Sequence, residues 1–469
     1  MKLTKKIEDN ILFLRNRYGI EKTFDIIDRK ILVGNTVFYF LMIDGFAKDE
    51  IMLYVIERLQ NIKIDKIDGD ISTFVKKNIA YIEAEVTDDF NKIEGMFLSG
   101  AIVILIDGEE NALIIDARSY PVRSINEPDL EKVTRGPRDG FVETLIFNTA
   151  LVRRRVKDHS LRFEIKEVGT RSKTNIAVTY IDDLVDKGLL QNILKKIDSI
   201  KIESLVMAEK SLSEKLIKHT WYNPIPQVRY TERPDVAASH LLEGHILIMV
   251  DTTPSVIIMP TTIFHFTQHA EDYYQTPIVG TYIRQIRFIA LFMSYILVPL
   301  WYLLVSQNHN LFFTEYFTNV KEFGNTPLIV QLLILEFSLD LLKISSIHTP
   351  SSLNTSLGII GGLILGNFAV TSGWLIPEAI LILSLTGIAS FATPSIEFSW
   401  AIRIFRLFLL IMTFLFKLPG FIIANLIVLI IIFTTNNGSK MRFTYPLIPF
   451  NFKHLKHLLW RFSIPSNKK

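Results

Sequence analysis

Residues 288–305 read FIALFMSYILVPLWYLLV, eighteen positions without a charge. A helix needs about 20 such residues to cross a hydrocarbon core about 30 Å thick. Further apolar stretches follow at 327–342, 353–370, 375–392, 402–416 and 421–433. They are nearly uncharged all round, whereas a soluble surface helix carries an apolar stripe. The chain is therefore expected to end in an α-helical polytopic membrane domain at 284–436 and a basic tail at 437–469.

The charge divides the chain at the same place. Residues 1–283 carry 37 Lys and Arg against 42 Asp and Glu, and residues 284–469 carry 14 against 6. Basic segments beside spans mark the cytoplasmic side. The loop 306–326 has one Lys and no Arg, so it is expected outside. Arg284, Arg287, Lys343, Arg403, Arg406 and the tail are expected inside. Six segments with both termini inside satisfy this, near 288–305, 327–343, 354–371, 375–392, 402–416 and 420–434. Only Lys417, beside the Pro419-Gly420 turn, falls on the wrong side. A single tilted helix replacing the last two short segments is the alternative, and it would leave the tail outside. No cysteine is present, which excludes disulfides and thiolate metal sites. Residues 1–18 are charged and amphipathic, unlike a secretory signal, so the N-terminal region is expected to face the cytoplasm.

The polar half reads as α/β. A helix is predicted over 2–18, strands over 24–33 and 37–43, and helices over 49–59 and 88–98. A hairpin is predicted over 101–106 and 112–116. The plan then recurs. Gly34, followed by a strand ending Met42-Ile43-Asp44, answers Gly169, followed by a strand ending Tyr180-Ile181-Asp182. Each leads into a helix, the second over 187–197. Gly100-Ala-Ile-Val-Ile-Leu-Ile-Asp107 answers Gly244-His-Ile-Leu-Ile-Met-Val-Asp251. The offsets between copies are 135, 138 and 144, rising in order as insertions would make them. They predict two related α/β sub-domains, 1–120 and 121–283.

The joint between them holds Glu127, Asp129, Glu131, Arg135 and Arg138 among turn-forming Pro and Gly. These charges are expected to pair with one another. A helix over 141–156 ends in Arg153-Arg154-Arg155. The triplet reads as a phosphate or nucleic-acid patch, or as a helix end pairing with the acidic linker. The net-acidic surroundings favour the second, and no nucleic-acid partner is expected. No phosphate loop, metalloprotease motif, nucleophile elbow or dinucleotide fingerprint occurs. His265 and His269 could share a helix face and hold a metal, but lack an obvious third ligand. No enzyme activity, cofactor or metal is expected.

The stretch Glu127-Pro-Asp-Leu-Glu-Lys-Val-Thr-Arg-Gly-Pro-Arg-Asp-Gly-Phe-Val-Glu143, with Asn148-Thr-Ala-Leu-Val-Arg-Arg-Arg155, resembles the signature of the GerA family, the A subunits of spore germinant receptors. Val168-Gly-Thr-Arg-Ser-Lys-Thr174, Gln227-Val-Arg-Tyr-Thr-Glu-Arg-Pro-Asp235 and Leu241-Leu-Glu-Gly244 continue the resemblance over nearly the whole chain. Asp251-Thr-Thr-Pro-Ser-Val256, His269-Ala-Glu-Asp-Tyr273 and Ile347-His-Thr-Pro-Ser351 look most like the stage V sporulation AF branch. Lys343-Ile-Ser-Ser346 and Asn367 depart from the receptor A pattern and point to the same branch. The resemblance implies a role in spore germination in the inner membrane of the endospore, with the N-terminal region facing the core. It implies a homo-oligomer, a pentamer, that conducts cations out of the core. It also implies other germination membrane proteins as partners, and an amplifying, auxiliary role for this branch.

Three functions compete: an oligomeric cation channel, a non-conducting scaffold coupling a soluble sensor to another channel, and a secondary transporter. A transporter would carry its repeat in the spans, whereas here the repeat lies in the soluble part. For a channel, Glu336, Asp340 and Lys343 fall on one helical face. A ring of carboxylates suits a cation path. A local Asp340–Lys343 pair is the plainer reading. The small-residue segment 353–370 is the candidate pore lining, with Asn354, Ile359, Gly362, Gly366 and Asn367. Its glycines also suit close helix packing alone.

Overall fold

The computed structural model describes residues 2–46, 49–61, 71–79, 83–118, 131, 133–217, 220–307, 326–348, 370–439 and 442–462. The chain forms two units. The first comprises Met1–His219, Val228–Thr261 and Asn437–Lys440; the second comprises Thr220–Gln227, Thr262–Asn436 and Met441–Lys469.

The first unit contains two sheets of one plan. Its first half runs α1 (Ile7–Tyr18), β1 (Ile26–Val33), β2 (Thr36–Ile43), α2 (Asp49–Gln60), α3 (Ile71–Asn78), β3 (Ala84–Thr87), α4 (Phe90–Leu98), β4 (Ile102–Ile106) and β5 (Ala112–Ile115). Its second half runs α5 (Leu145–Arg155), β6 (Leu161–Val168), β7 (Thr174–Ile181), α6 (Lys187–Asp198), α7 (Ala208–Leu216), β8 (Arg229–Thr231), α8 (Pro234–Leu242), β9 (Ile246–Val250) and β10 (Val256–Met259). The strand orders are β1-β2-β4-β5-β3 and β6-β7-β9-β10-β8, antiparallel throughout.

The registers reproduce the sequence offsets. Phe38 faces Ile106 as Ile176 faces Val250, shifts of 138 and 144. Ile26 faces Ile43 as Leu161 faces Ile181, shifts of 135 and 138. Hydrogen bonds recur with the strands. Asp107 Oδ1 accepts from the amide of Ile7 at 3.3 Å, and Asp251 Oδ1 from the amide of Leu145 at 3.1 Å. Each aspartate thus satisfies an orphan N–H at the start of its half's first helix, where partial positive charge favours a carboxylate. Asn10 closes a pair of bonds with the Thr4 backbone, and Asn148 does the same with Val142. Gly100 and Gly244 turn the chain into β4 and β9 at φ +102° and +86°, where a side chain would be strained.

Both faces of each sheet are covered. Alternate residues of β4 point to opposite faces. Val103 and Leu105 join α1 and α4 in one core, and Ile102, Ile104 and Ile106 join α2 and α3 in another. In the second half, Leu247 and Met249 meet α5 and α8, and Ile246, Ile248 and Val250 meet α6 and α7. Central strands buried on both sides are continuously apolar, hence ILI runs without alternation.

The two halves are fastened through β6. The amide of Phe24 donates to the carbonyl of Phe163 at 3.2 Å, and the amide of Phe163 donates to Thr23 Oγ1 at 3.1 Å. Beside them Arg153 donates to both oxygens of Asp25, at 2.8 and 3.1 Å. Both residues are 1% exposed.

In the second unit a short helix α9 (Glu271–Tyr274) precedes α10 (Pro277–Ser306), then α11 (Leu328–His348), α12 (Pro377–Phe391), α13 (Ile396–Thr434) and α14 (Phe452–Leu459). Among the described residues, α10 and α13 are long and apolar enough to cross a membrane. Their outward residues are large and apolar, as at Ile289 and Phe292, which suits a lipid surround. α13 is not one straight rod. Lys417 has φ 53° and ψ −135°, and a Cβ on Gly420 would lie 2.0 Å from the carbonyl oxygen of Met412. Residues eight apart in a straight helix are about 12 Å apart, so the chain folds back. Val428 on the second leg joins Phe398, Ile402 and Phe405 of the first leg in one cluster. The break falls beside the Pro419-Gly420 turn and divides the helix into two legs, 396–416 and 418–434.

Candidate functional site: buried charges of the helical unit

Glu336 lies in the middle of α11, with an exposure of 1%. Arg406 of α13 grips its carboxylate with two bonds of 2.7 Å, Nε to Oε1 and Nη2 to Oε2. The third arm of Arg406, Nη1, donates to the carbonyl of Ser294 in α10 at 2.6 Å. One guanidinium therefore ties three helices. Arg403, one turn earlier, donates to the Glu336 carbonyl and lies 3.2 Å from Oε2. It also reaches Asp340 Oδ1 at 2.5 Å. Lys343 donates to Ser390 Oγ of α12 at 2.9 Å and stands over the rings of Phe391 and Trp400. Ionised groups in an apolar bundle are costly unless paired and hydrogen-bonded. Here two carboxylates meet two guanidiniums and one ammonium, leaving a formal +1.

Glu336 and Asp340 both meet Arg403, and Lys343 of the same helix reaches Ser390. The sequence reading placed Arg403 and Arg406 at the inner membrane surface and missed their pairing. The available signal was their i, i+3 spacing in an apolar stretch, which requires acidic partners on a neighbouring helix. Asn354, Ile359, Gly362, Gly366 and Asn367 lie outside the described residues.

A second buried cluster sits at the foot of α10. Asp272 is 0% exposed and accepts from Arg287 at 2.7 and 2.9 Å. Arg284 lies 3.5 Å from the same carboxylate and donates to the carbonyls of His457 and Leu458 in the tail. His265 falls in a single 3₁₀ turn, Ile263–Thr267, where its ring and Thr262 form a capping box. His269 lies beyond that turn and accepts from the Glu271 amide. The two rings do not share an α-helical face.

Among the described residues of the linker, the carboxylates Glu131 and Asp139 find their partners outside it. Glu131 holds Arg229 at 2.9 Å and the Thr231 hydroxyl at 2.6 Å. Asp139 holds Arg155 at 2.5–2.6 Å. Arg135 and Arg138 are exposed, and Glu127 and Asp129 lie outside the described residues. The basic triplet is divided: Arg153 serves the buried Asp25 and Arg155 the linker aspartate. Near this seam a pocket of about 580 Å³ is lined by Glu21, Lys22, Thr23, Glu164 and Tyr180, among others. Burial, and then Glu164, push the Tyr180 phenol up to about 12, so it stays protonated in the physiological range.

Residues 14–469 match the family model described as Bacillus/Clostridium GerA spore germination protein. The chain belongs to the GerA family. Among GerA-family relatives, Stage V sporulation protein AF of Bacillus subtilis is 39% identical over 457 residues, covering 97% of this chain and 92% of that protein. Spore germination protein KA of the same organism is 29% identical, over 92% of this chain and 77% of its own length. The crystal structure of the N-terminal domain of the A subunit of the Bacillus megaterium spore germinant receptor GerK3 covers 55% of this chain with 96% of its own, at 25% identity and a TM-score of 0.43. The chain is thus a GerA-family membrane protein of spore germination.

Proposed function

We propose that this GerA-family protein is a cation-conducting subunit of the stage V sporulation AF type. It assembles with copies of itself in the inner membrane of the endospore, with its double-sheet unit toward the core. There it amplifies ion release with other germination membrane proteins. The observation that carries the reading is the 39% identity to Stage V sporulation protein AF across 97% of the chain, which spans the soluble and membrane parts alike. The helical unit supports it with buried ionisable groups, which in membrane proteins mark ion paths or the braces around them.

One observation favours a second reading, a non-conducting scaffold. The carboxylate of Glu336 is engaged by arginines of its own chain and is not presented as a free ring member. The role is tested in spores of the native host lacking this chain. The expected result is slower cation release after a germinant is added, restored by the intact gene. Unchanged release kinetics would overturn both readings.

A further inference from the structure

The tail from residue 439 carries seven Lys and Arg and no Asp or Glu. Its helix α14 is amphipathic: Phe452, Leu455, Leu458 and Leu459 fall on one side and Lys453, Lys456 and His457 on the other. The leucines are half-buried, whereas Phe450, Phe452, Trp460 and Phe462 are 68%, 67%, 47% and 43% exposed. Lys453 and Lys456 are exposed beside them.

The position of this helix is fixed within its unit. Arg284 and Gln285 donate to the carbonyls of His457, Leu458 and Leu459. The Arg461 amide donates to Thr281 Oγ1, and its guanidinium to the carbonyl of Tyr273. The α10 residues in these contacts, Thr281, Arg284 and Gln285, lie three to seven residues before the uncharged stretch begins at Phe288. At 1.5 Å per residue, that is about 5–10 Å outside the hydrocarbon edge, the depth of the lipid headgroups. At the same end, the side chain of Asn223 donates to Thr435 at 3.0 Å where the second leg of α13 finishes. The neighbouring Trp221 and Tyr222 are 97% and 55% exposed. Aromatic rings at this level with lysines among them match an anionic leaflet in both polarity and charge.

We propose that α14 and its flanking aromatics form a lipid-binding surface, which lies in the headgroup layer at the foot of α10 and takes acidic phospholipid through Lys453 and Lys456. The apolar rings sit between headgroups, and the arginines beneath hold the helix against α10. A protein partner on the same surface would protect it regardless of lipid charge.

The test uses the full chain in nanodiscs of phosphatidylcholine alone or mixed with phosphatidylglycerol. The readout is backbone hydrogen exchange over residues 450–460. Exchange is expected to slow about tenfold or more in the anionic discs, the effect of two lysines near such a surface. High salt removes the difference. Lys453→Glu/Lys456→Glu is expected to exchange alike in both discs. Equal exchange of the unaltered protein in the two compositions, whether fast or slow, overturns the proposal without reliance on the variant's folding.

Discussion

Replacing Glu336 by Gln separates a brace from a pore carboxylate. The side chain keeps its shape and loses its charge, so Arg406 and Arg403 retain two buried guanidiniums with one carboxylate, Asp340, nearby. Removing one member of a buried ion pair typically costs about 3–5 kcal/mol, because the remaining charge is uncompensated. For a unit of this size, 1 kcal/mol moves a melting midpoint by about 2–4 °C. The expected loss is therefore roughly 6–20 °C. Arg406→Met alone should cost a similar amount, since Glu336 then keeps only Arg403. The double variant Glu336→Leu/Arg406→Met removes both charges and fills similar volume. It should recover much of the loss, because apolar replacements of a buried pair are often neutral or stabilising. The assay is thermal unfolding of the full chain in detergent, run as a double-mutant cycle. Additive effects, or a Glu336→Gln midpoint within about 1 °C of the parent, would refute the brace. A carboxylate facing a water-filled pore would give that second result while altering ion flux.

Three further outcomes are expected. Asp25→Asn leaves the buried Arg153 without its carboxylate, facing an amide oxygen and the backbone carbonyls of Asp158 and Leu161. It should destabilise the first unit by about 3 kcal/mol or more, and a melting curve superposable on the parent would contradict the fastening of the two halves. Because the chain lacks cysteine, Lys417→Cys and Asn436→Cys report sidedness by membrane-impermeant labelling. The folded-back α13 predicts labelling from opposite sides, and a residue 417 shielded from both sides would contradict it. Burial, then Arg229 and His245, hold His240 well below its ordinary value, and burial also lowers His245. A depressed histidine pKa means the fold prefers the neutral ring. Its stabilising effect is complete above the ordinary value of about 6.5 and is lost as pH falls below it. Glu243, raised by burial, acts in the opposite sense. The melting midpoint should fall between pH 7.5 and 5 and fall less in His240→Gln; equal slopes would refute this.

The duplication was legible because its traces are local. Each half needs an aspartate seven residues past a left-handed glycine, one to turn into the central strand and the other to cap the first helix. Those pairs, Gly100 with Asp107 and Gly244 with Asp251, are visible in sequence. The edge strands Ala84–Thr87 and Arg229–Thr231 were not read, since three or four mixed residues carry no periodicity. The helix Pro234–Leu242 was also missed, although Pro at its first turn is a recognised start signal. Pairings across long separations were the least accessible. Glu336 and Arg406 are 70 residues apart, and Glu131 and Arg229 are 98 apart. Local pattern supplied each group's need for a partner but not the partner. Thus Glu131 and Asp139, close in sequence to Arg135 and Arg138, instead serve β8 and α5.

The proposed channel is an assembly of copies of this GerA-family chain that conducts cations. The direct measurement is ionic current across a planar bilayer into which the purified full chain has been reconstituted. The oligomer is sized by native mass spectrometry on the same preparation. The expected result is a closed ring of copies and a cation-selective current that scales with reconstituted protein and is altered by a bulky replacement of Gly362. A well-folded assembly that carries no cation current would contradict the channel and leave the scaffold.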